Sequence, residues 1–135
     1  MEINEVMTRS VVIASPDDTL QAAAKVMSEA DLGFLPVVEN DRLVGMVSDR
    51  DITVRAVAQG LPPNRSTVRE VMSWDVKFVY EDESLEDAAR NMRGLRVRRL
   101  PVLNRDKRLV GIVSLSDLAV NESELAGEAL RSISH

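Results

Sequence analysis

The sequence predicts an α+β fold in which two β-α-β-β-α repeats pack sheet to sheet about a pseudo-two-fold axis. Three observations lead to this prediction: the two halves of the chain repeat one another, short β-branched runs alternate with helical periodicity, and 44% of the 135 residues are hydrophobic. That hydrophobic content is enough to bury a core. Each repeat alone would leave one sheet face uncovered, so we expect the two sheets to cover each other.

An internal repeat runs through most of the chain. Pro36 recurs as Pro101, an offset of 65 residues, and Gly45 recurs as Gly111, an offset of 66, so one residue is inserted in the turn that separates them. The matching segments of the first half are Val6-Met7-Thr8, Asp17-Asp18-Thr19-Leu20, Leu35-Pro36-Val37, Leu43-Val44-Gly45 and Val47-Ser48. Those of the second half are Val71-Met72-Ser73, Asp82-Glu83-Ser84-Leu85, Leu100-Pro101-Val102, Leu109-Val110-Gly111 and Val113-Ser114.

The elements follow in the same order in each repeat. Residues 11–14 are a β-branched run that predicts a strand, ended by turn residues. Apolar residues at helical spacing from Thr19 predict a helix that closes before Gly33, and its counterpart closes at Gly94. Two apolar runs joined by a polar turn at residues 39–42 predict a hairpin, and a second helix is predicted from Asp49 to about Gln59.

The domain boundaries follow from the repeat. We predict the first repeat over residues 1–60, a linker over residues 61–66, the second repeat over residues 67–121 and a helical tail over residues 122–135. Two consecutive prolines mark the linker because they cannot continue a helix. The tail prediction depends on apolar residues at near-helical spacing.

The residue inventory disfavours catalysis. Cysteine is absent and the single histidine is His135, so a Ser-His-Asp or Cys-His site is excluded. Acidic pairs such as Asp17-Asp18 lie at predicted helix starts, where the helix dipole accounts for them. We therefore expect neither enzyme activity nor a metal site.

The same inventory bears on location. No apolar stretch approaches the ~20 residues that a membrane helix needs, and the N-terminus lacks the form of a signal peptide. The cysteine-free composition gives no indication of secretion. We expect a cytoplasmic protein with no membrane partner.

Two stretches resemble the core motif of the CBS-domain family, in the tandem arrangement called a Bateman module. They are Leu35-Pro36-Val37-Val38 with residues 43–51, and Leu100-Pro101-Val102 with residues 109–117. The resemblance covers the chain from about Val6 to Asn121 and extends to small bacterial proteins that consist of two such repeats. It implies a regulatory module whose ligand is AMP, ADP, ATP, NAD or S-adenosylmethionine, bound in one or both clefts between the halves as a signal and not as a cofactor.

A Ser-x-x-Asp spacing closes the hairpin of each repeat, with Ser48 and Asp51 in the first and Ser114 and Asp117 in the second. A carboxylate at a helix start can accept hydrogen bonds from both ribose hydroxyls while the serine or the helix N-terminus faces phosphate. The same spacing is typical of an N-cap with an acidic first turn, worth about 1 kcal/mol. Spacing alone leaves both interpretations open, and the repeat context favours ribose.

The adenine ring needs an apolar slot with backbone groups at its edge. The resemblance assigns this lining to residues just before each Pro-Val pair and to one residue two positions before each serine. These residues are Leu32, Gly33, Phe34 and Met46 in the first repeat, and Val97, Arg98, Arg99 and Ile112 in the second. Ordinary strand core explains any single apolar member of this set equally well.

Arginine directly before a buried strand is an unusual core residue. A guanidinium of Arg98 or Arg99 can bind a phosphate with two hydrogen bonds. Strand alternation sends the two side chains to opposite sides, so at most one faces each cleft and the other is solvated. Arg50 is a further phosphate candidate, and Ser116 replaces it in the second repeat. The two clefts are therefore not equivalent.

The resemblance also implies a homodimer formed through helices and an unidentified protein partner that carries the output. Met27, Met92, Val54 and Val57 are candidates for the apolar helix faces, and packing in the core is the alternative for each. A structural dimerisation module whose clefts bind nothing is the alternative function.

A cluster of basic side chains raises nucleic-acid binding as a third hypothesis. Its members are Arg90, Arg93, Arg96, Arg98, Arg99, Arg105, Lys107 and Arg108. The formal net charge of -5 and the scarcity of aromatic residues disfavour it, because such proteins use an overall basic surface and stacking platforms.

Overall fold

A computed structural model describes residues 1–118, which form two compact units, each with a small sheet. The repeat-1 unit comprises Val12–Lys77 with Lys107–Leu109. The repeat-2 unit comprises Met1–Val11, Phe78–Asp106 and the described residues from Val110 onward. The combination of helices with two small sheets confirms the predicted α+β class.

The elements lie in the same order in both repeats. The helices are α1 (Leu20–Ala30), α2 (Asp49–Asp51), α3 (Val68–Val71) and α4 (Leu85–Leu95), with a 3-10 turn at Ile3–Glu5 and a π-helical turn at Ile52–Val57. The strands are β1 (Phe34–Glu39), β2 (Arg42–Ser48), β3 (Val79–Tyr80), β4 (Arg99–Leu103) and β5 (Leu109–Ser114). Residues 115–118 are helical, and the predicted tail lies outside the described residues. No helix within residues 1–118 is long and apolar enough to cross a membrane.

Helix α1 begins and ends where its side chains dictate. The Thr19 hydroxyl caps it by accepting a hydrogen bond from the Ala22 amide at 3.1 Å, and Asp31 ends it in a left-handed conformation with φ 55°. Two further amides at its start donate to the carbonyls of Pro63 and Ser66 in the predicted linker. The helix therefore ends before Gly33, as predicted. The linker supplies carbonyl acceptors for the unpaired amides at the helix N-terminus.

The prediction of a strand over residues 11–14 was wrong in extent. Only Ala14 pairs, through a single parallel bridge to Val37. Immediately afterwards the Ser15 amide donates to the Asp18 carboxylate in a turn, and Pro16 has no N–H to offer a ladder. The counterpart in the second repeat is the two-residue strand β3, which pairs in parallel with β4.

The hairpin of β1 and β2 forms as predicted. Its turn residues Asn40 and Asp41 both have positive φ, 55° and 64°, which matches the right-handed twist of the flanking strands. Asparagine and aspartate tolerate this left-handed region better than most residues. The register ends with Phe34 opposite Ser48, so the residues before β1 lie beside the serine that closes β2.

The second helix of the first repeat starts at Asp49 as predicted, but it changes from α-helical to π-helical hydrogen bonding at Ile52. After α2 the chain adopts the π-helical turn, in which the Ala58 amide donates to the Thr53 carbonyl five residues earlier. The Thr53 hydroxyl donates to the Asp49 carbonyl, a local bond that competes with regular helix geometry. The wider turn ends at Val57 and leads to Gly60, whose φ is 75°.

Helix α4 repeats α1, with Ser84 as its N-cap. Its buried residues Leu85, Ala88, Ala89 and Met92 match the predicted apolar face. The prediction that the helix closes at Gly94 was wrong, because the helix continues to Leu95. Arg96 ends it with φ 59°, at the position where Asp31 ends α1.

Two crossing segments complete the sheets. We use this name for Val6-Met7-Thr8 and Val71-Met72-Ser73. Thr8 lies near the start of the first repeat but pairs antiparallel with Ile112 of β5, and Ser73 lies near the start of the second repeat but pairs antiparallel with Met46 of β2. Each sheet therefore receives its last backbone partner from the segment that leads into the other repeat.

Gly45 and Gly111 make room for the crossing segments. A Cβ at Gly45 would lie 2.8 Å from the Ser73 carbonyl oxygen and 2.9 Å from the Met72 sulfur. A Cβ at Gly111 would lie 2.9 Å from the Thr8 carbonyl oxygen and 2.6 Å from the Met7 sulfur. Real Cβ atoms essentially never approach other atoms so closely, so the repeated glycines are required by close backbone approach.

We predict that Gly45→Ala and Gly111→Ala each destabilise the fold by about 1–3 kcal/mol, because the added methyl group overpacks against a backbone oxygen that is held in a bridge. Gly94→Ala is the matched control. A Cβ there meets nothing within 4 Å, so we expect it to stabilise α4 by about 0.5–1 kcal/mol. Urea denaturation of the three variants checks this, and equal effects at all three positions would contradict it.

Candidate functional site

The Ser48–Asp51 pair forms a reciprocal cap at the end of β2. The Ser48 amide donates to Asp51 Oδ2 at 2.9 Å, and the Asp51 amide donates to Ser48 Oγ at 3.0 Å. These bonds satisfy two donors that the helix start leaves unpaired. The capping interpretation of the spacing is therefore confirmed for the first repeat.

The cap does not exhaust the Asp51 carboxylate. An ionised carboxylate offers about four acceptor positions, and the hydrogen bond from the Ser48 amide occupies one of them. The Asp51 side chain is 16% exposed, and its Oδ1 lies 3.8 Å from Arg55 Nε. Capping and ligand binding are thus compatible roles for the same side chain.

The Ser114–Asp117 pair forms the same cap at the end of β5. The Ser114 amide donates to Asp117 Oδ2 and the Asp117 amide donates to Ser114 Oγ, both at 3.1 Å. Ser114 Oγ also lies 3.1 Å from Ser116 Oγ. The two repeats therefore present the same pair at equivalent strand ends, with a hydroxyl at the position that Arg50 occupies in the first.

Residues two positions before each serine share its strand face. Met46 and Ser48 are half-buried on β2, whereas Val47 between them is fully buried in the core. Ile112 and Ser114 have the same relation on β5 around buried Val113. Because side chains alternate along a strand, Met46 and Ile112 lie on the face of the serines and away from their own unit's core.

The residues before β1 and β4 meet the helix starts through their backbones. The Gly33 carbonyl accepts from the Asp49 amide at 2.9 Å, and the Arg98 carbonyl accepts from the Leu115 amide at 2.6 Å. Gly33 is exposed and Phe34 is half-buried. In each unit, therefore, the segment before the Pro-Val pair lies beside the strand end that carries the Ser-x-x-Asp cap.

Leu32 and Val97 contribute mainly to packing. Both are half-buried and pack against the hydrophobic core of their own unit. Leu32 also lines a cavity of about 320 Å³ between α1 and the helical segment after β2, with Met27 and Ile52 among its neighbours. This cavity lies on the helical side of the repeat-1 unit, where sequence analysis assigned no site.

The three arginines proposed for phosphate are on the surface. Arg50, Arg98 and Arg99 are all exposed, and none of them forms a side-chain ion pair with another residue in the described part of the chain. Their guanidinium groups are available to an anion.

Two features of the site were not predicted from the sequence. Arg55 contacts Asp51 from four residues later, a helical ion-pair spacing that the sequence contains. Thr8 and Ser73 supply the backbone partners of Ile112 and Met46. Their signal in the sequence was the repeated Val-Met-Thr/Ser motif, at the offset of 65 residues that also relates Pro36 to Pro101.

The basic cluster is partly neutralised by acidic neighbours. Arg105 forms two hydrogen bonds to Asp82, at 2.9 and 2.8 Å, and its guanidinium lies 4.0 Å from the centre of the Tyr80 ring. Arg90 is paired with Asp87 at 3.1 Å. Ion pairs of this kind leave fewer free cations for a nucleic-acid backbone.

Comparison with known proteins gives one family for both halves. The CBS domain matches residues 3–57 and 68–124. The CBS domain-containing protein YhcV of Bacillus subtilis is 44% identical over 135 residues, which cover 98% of this chain and 95% of YhcV. The suggested resemblance is therefore confirmed.

Two solved structures show the same fold. The crystal structure of Hypoxic Response Protein I, with two coordinated zinc ions, is 37% identical with a TM-score of 0.80, and covers 90% of this chain and 98% of that one. The CBS domain pair of protein MJ0100, in complex with 5-methylthioadenosine and S-adenosyl-L-methionine, is 28% identical with a TM-score of 0.74, and covers 96% and 98%.

We predict that Arg105→Gln raises the pKa of Asp82 toward its ordinary value. The hydrogen bonds and charge of Arg105 hold that pKa below the usual range. Because the folded pKa lies below the unfolded one, the pair stabilises the fold at neutral pH, and this contribution is lost as the pH falls through the lowered pKa. Carboxyl titration by NMR checks it, with Arg90→Gln as the control that leaves Asp82 unchanged.

Proposed function

The chain belongs to the CBS-domain family, and from that premise we propose that it is a regulatory module that binds an adenine nucleotide or a related adenosyl compound. We also propose that it has no catalytic activity of its own. In this proposal the ligand acts as a signal, and an unidentified protein partner carries the output. A cytoplasmic location is part of the same proposal.

The observation that carries the proposal is the pair of equivalent Ser-x-x-Asp caps. Each cap holds an aspartate at the end of a strand through two hydrogen bonds, and the Asp51 carboxylate keeps further acceptor positions. Two adjacent ribose hydroxyls can donate to one such carboxylate. The structure of the 28% identical MJ0100 pair with two adenosyl compounds supports this ligand class.

In the proposed site each side chain has a separate task. Asp51 and Asp117 accept the ribose hydroxyls, and Met46 and Ile112 pack against the base because they share a strand face with the serines. Backbone groups at Gly33 and Arg98, with Phe34 in the first repeat, recognise the edge of adenine. Leu32 and Val97 support these segments from the core side.

The phosphate contacts are proposed to differ between the repeats. The first repeat offers Arg50, whereas the second offers Arg98 and Arg99 but has Ser116 in place of Arg50. A ligand with several phosphates needs more than one cation to offset its charge. The two sites are therefore expected to prefer different ligands of one class, and AMP, ATP and NAD are all candidates.

A metal site is not proposed. Hypoxic Response Protein I binds zinc in its crystal structure, but zinc in proteins is held mainly by cysteine and histidine, and this chain has no cysteine and a single histidine, His135. Residues 1–118 contain no group of three or more acidic or histidine side chains placed to hold an ion.

A homodimer formed through helices is the second part of the proposal. Of the four apolar residues predicted for such faces, Met27 and Met92 are buried in their own cores. Val54 and Val57, on the helical segment after β2, are 46% and 61% exposed. Their exposure favours a self-association surface at this segment, and it also supports the alternative of a dimerisation module without a ligand.

We predict that the wild-type protein binds at least one of AMP, ATP, NAD and S-adenosylmethionine in titration calorimetry. Asp51→Asn or Asp117→Asn is expected to weaken binding at its own site tenfold or more, because a hydrogen bond to a charged group contributes about 1.5–3 kcal/mol. Asparagine keeps an oxygen for the cap, so folding is preserved. Asp106→Asn, in an exposed turn, is the control that leaves affinity unchanged.

The same titration can overturn the proposal. No heat with any of the four compounds at millimolar concentration would leave the ligand-free dimerisation module as the function. Tight binding that neither aspartate variant changes would place the ligand elsewhere on the chain.

We predict that Val57→Glu shifts the protein from dimer to monomer in sedimentation equilibrium, since it places a charge in an apolar contact. Val12→Glu, another exposed valine that lies outside this segment, is expected to leave the dimer intact. A wild-type protein that is monomeric at all concentrations would rule out the dimer.

A further inference from the structure

Arg55 joins two parts of the repeat-1 unit that are distant in sequence. Its Nε lies 3.8 Å from Asp51 Oδ1, and its Nη1 donates a hydrogen bond to the Val71 carbonyl at 3.2 Å. The guanidinium is a rigid fork whose donors point in fixed directions. One side chain therefore contacts both the candidate ribose carboxylate and the last residue of α3.

Val71 is the first residue of a crossing segment. Met72 is buried in the repeat-1 core, and Ser73 pairs with Met46 through two backbone hydrogen bonds, at 2.8 and 3.0 Å. Met46 precedes Ser48 by two residues on β2, and Ser48 caps with Asp51. The contacts therefore close a ring from Asp51 through Arg55 and the crossing segment back to the strand that carries the cap.

We propose that Arg55 is a positioning residue that couples ligand binding at Asp51 to the docking of the crossing segment on β2. This inference deepens the proposed function and rests on it for the ligand. A cation beside Asp51 orients the carboxylate for the ribose hydroxyls. A carboxylate ordered by a ligand in turn holds the guanidinium in the rotamer that bonds the Val71 carbonyl.

The coupling runs in both directions. Binding linkage is reciprocal. If ligand binding stabilises the docked crossing segment by a given free energy, docking of the segment stabilises ligand binding by the same free energy. Arg55 is about half exposed, so its contacts are partly screened by solvent. We therefore expect effects of about three- to tenfold, the range of one exposed ion pair and one hydrogen bond together.

The proposed coupling through Arg55 is specific to the first repeat. At the offset of 66 residues that relates Asp51 to Asp117, the residue corresponding to Arg55 is Asn121, which lies outside the described residues and carries no charge. The two sites thus differ in a residue that does not itself contact the proposed ligand. This difference supplies a test internal to the molecule.

The first experiment needs no ligand. Amide hydrogen exchange of Ser73 and Met46 reports opening of the crossing segment. Arg55→Met is expected to speed this exchange about three- to tenfold. Asp51→Asn is expected to speed it in the wild-type background and to add little in the Arg55→Met background, because the effect passes through Arg55.

The controls are matched to the same chain. The amides of Thr8 and Ile112, the equivalent bridge in the repeat-2 unit, are expected to be unchanged by Arg55→Met. Arg65→Met removes an exposed arginine from the linker and is expected to leave Ser73 exchange at the wild-type rate. Unchanged Ser73 exchange in Arg55→Met, or full additivity with Asp51→Asn, would overturn the coupling.

The second experiment adds the nucleotide that the wild type binds. Arg55→Met is expected to weaken the site that Asp51→Asn removes about three- to tenfold and to leave the Asp117 site unchanged. Arg55→Lys restores the charge beside Asp51 but not the fork, so we expect it to recover affinity without recovering Ser73 protection. A general structural role would lower both together.

The outcomes separate the two proposals. If no nucleotide binds the wild type, the proposed function fails, and the exchange measurements still decide whether Arg55 couples Asp51 to the crossing segment. If nucleotide binds and Arg55→Met changes neither affinity nor exchange, the function stands and the coupling is wrong.

Discussion

The antiparallel bridges of the crossing segments are the constraint on which the rest of the structure depends. A strand edge with unpaired N–H and C=O groups is costly when buried and prone to pair with other chains when exposed. Ser73 supplies two hydrogen bonds to Met46, and Thr8 supplies two to Ile112. The first segment of each repeat thus pairs with a strand of the other repeat. Both repeats must therefore be present for either sheet to have all of its backbone hydrogen-bond partners.

These bridges fix the positions of the residues in the candidate site. Met46 is fixed on both backbone sides, by the hairpin and by Ser73, and Ser48 lies only two residues further along the same strand. The cap then fixes Asp51 against that strand end through two hydrogen bonds. In the proposed site, a carboxylate held in this way loses little side-chain entropy on binding a ligand, because most of that entropy was lost on folding.

Local rules sufficed for the caps and hairpins and failed where pairing is long-range. The caps at Ser48 and Ser114 and the apolar spacing of α1 and α4 follow from chemistry that acts within one helical turn. The strand at residues 11–14 failed because one bridge is all that its neighbour offers, and the helix end at Gly94 failed because Arg96 can adopt the left-handed conformation. The crossing segments could be recognised as a repeated sequence, but repetition shows only that two segments have equivalent roles. It does not show to which copy each segment is donated.

A duplicated scaffold becomes informative where its copies differ. The backbone frame is shared, since both repeats close their strands with the same cap and both make room for a crossing segment with a glycine. The substitutions fall around that frame: Arg50 against Ser116, Gly33 and Phe34 against Arg98 and Arg99, Arg55 against Asn121. Charge has therefore diverged at positions that surround the two aspartates, while the aspartates have not. If the proposed function holds, two sites that share the aspartate and differ in their surroundings can respond to different occupants, which a symmetric pair could not do.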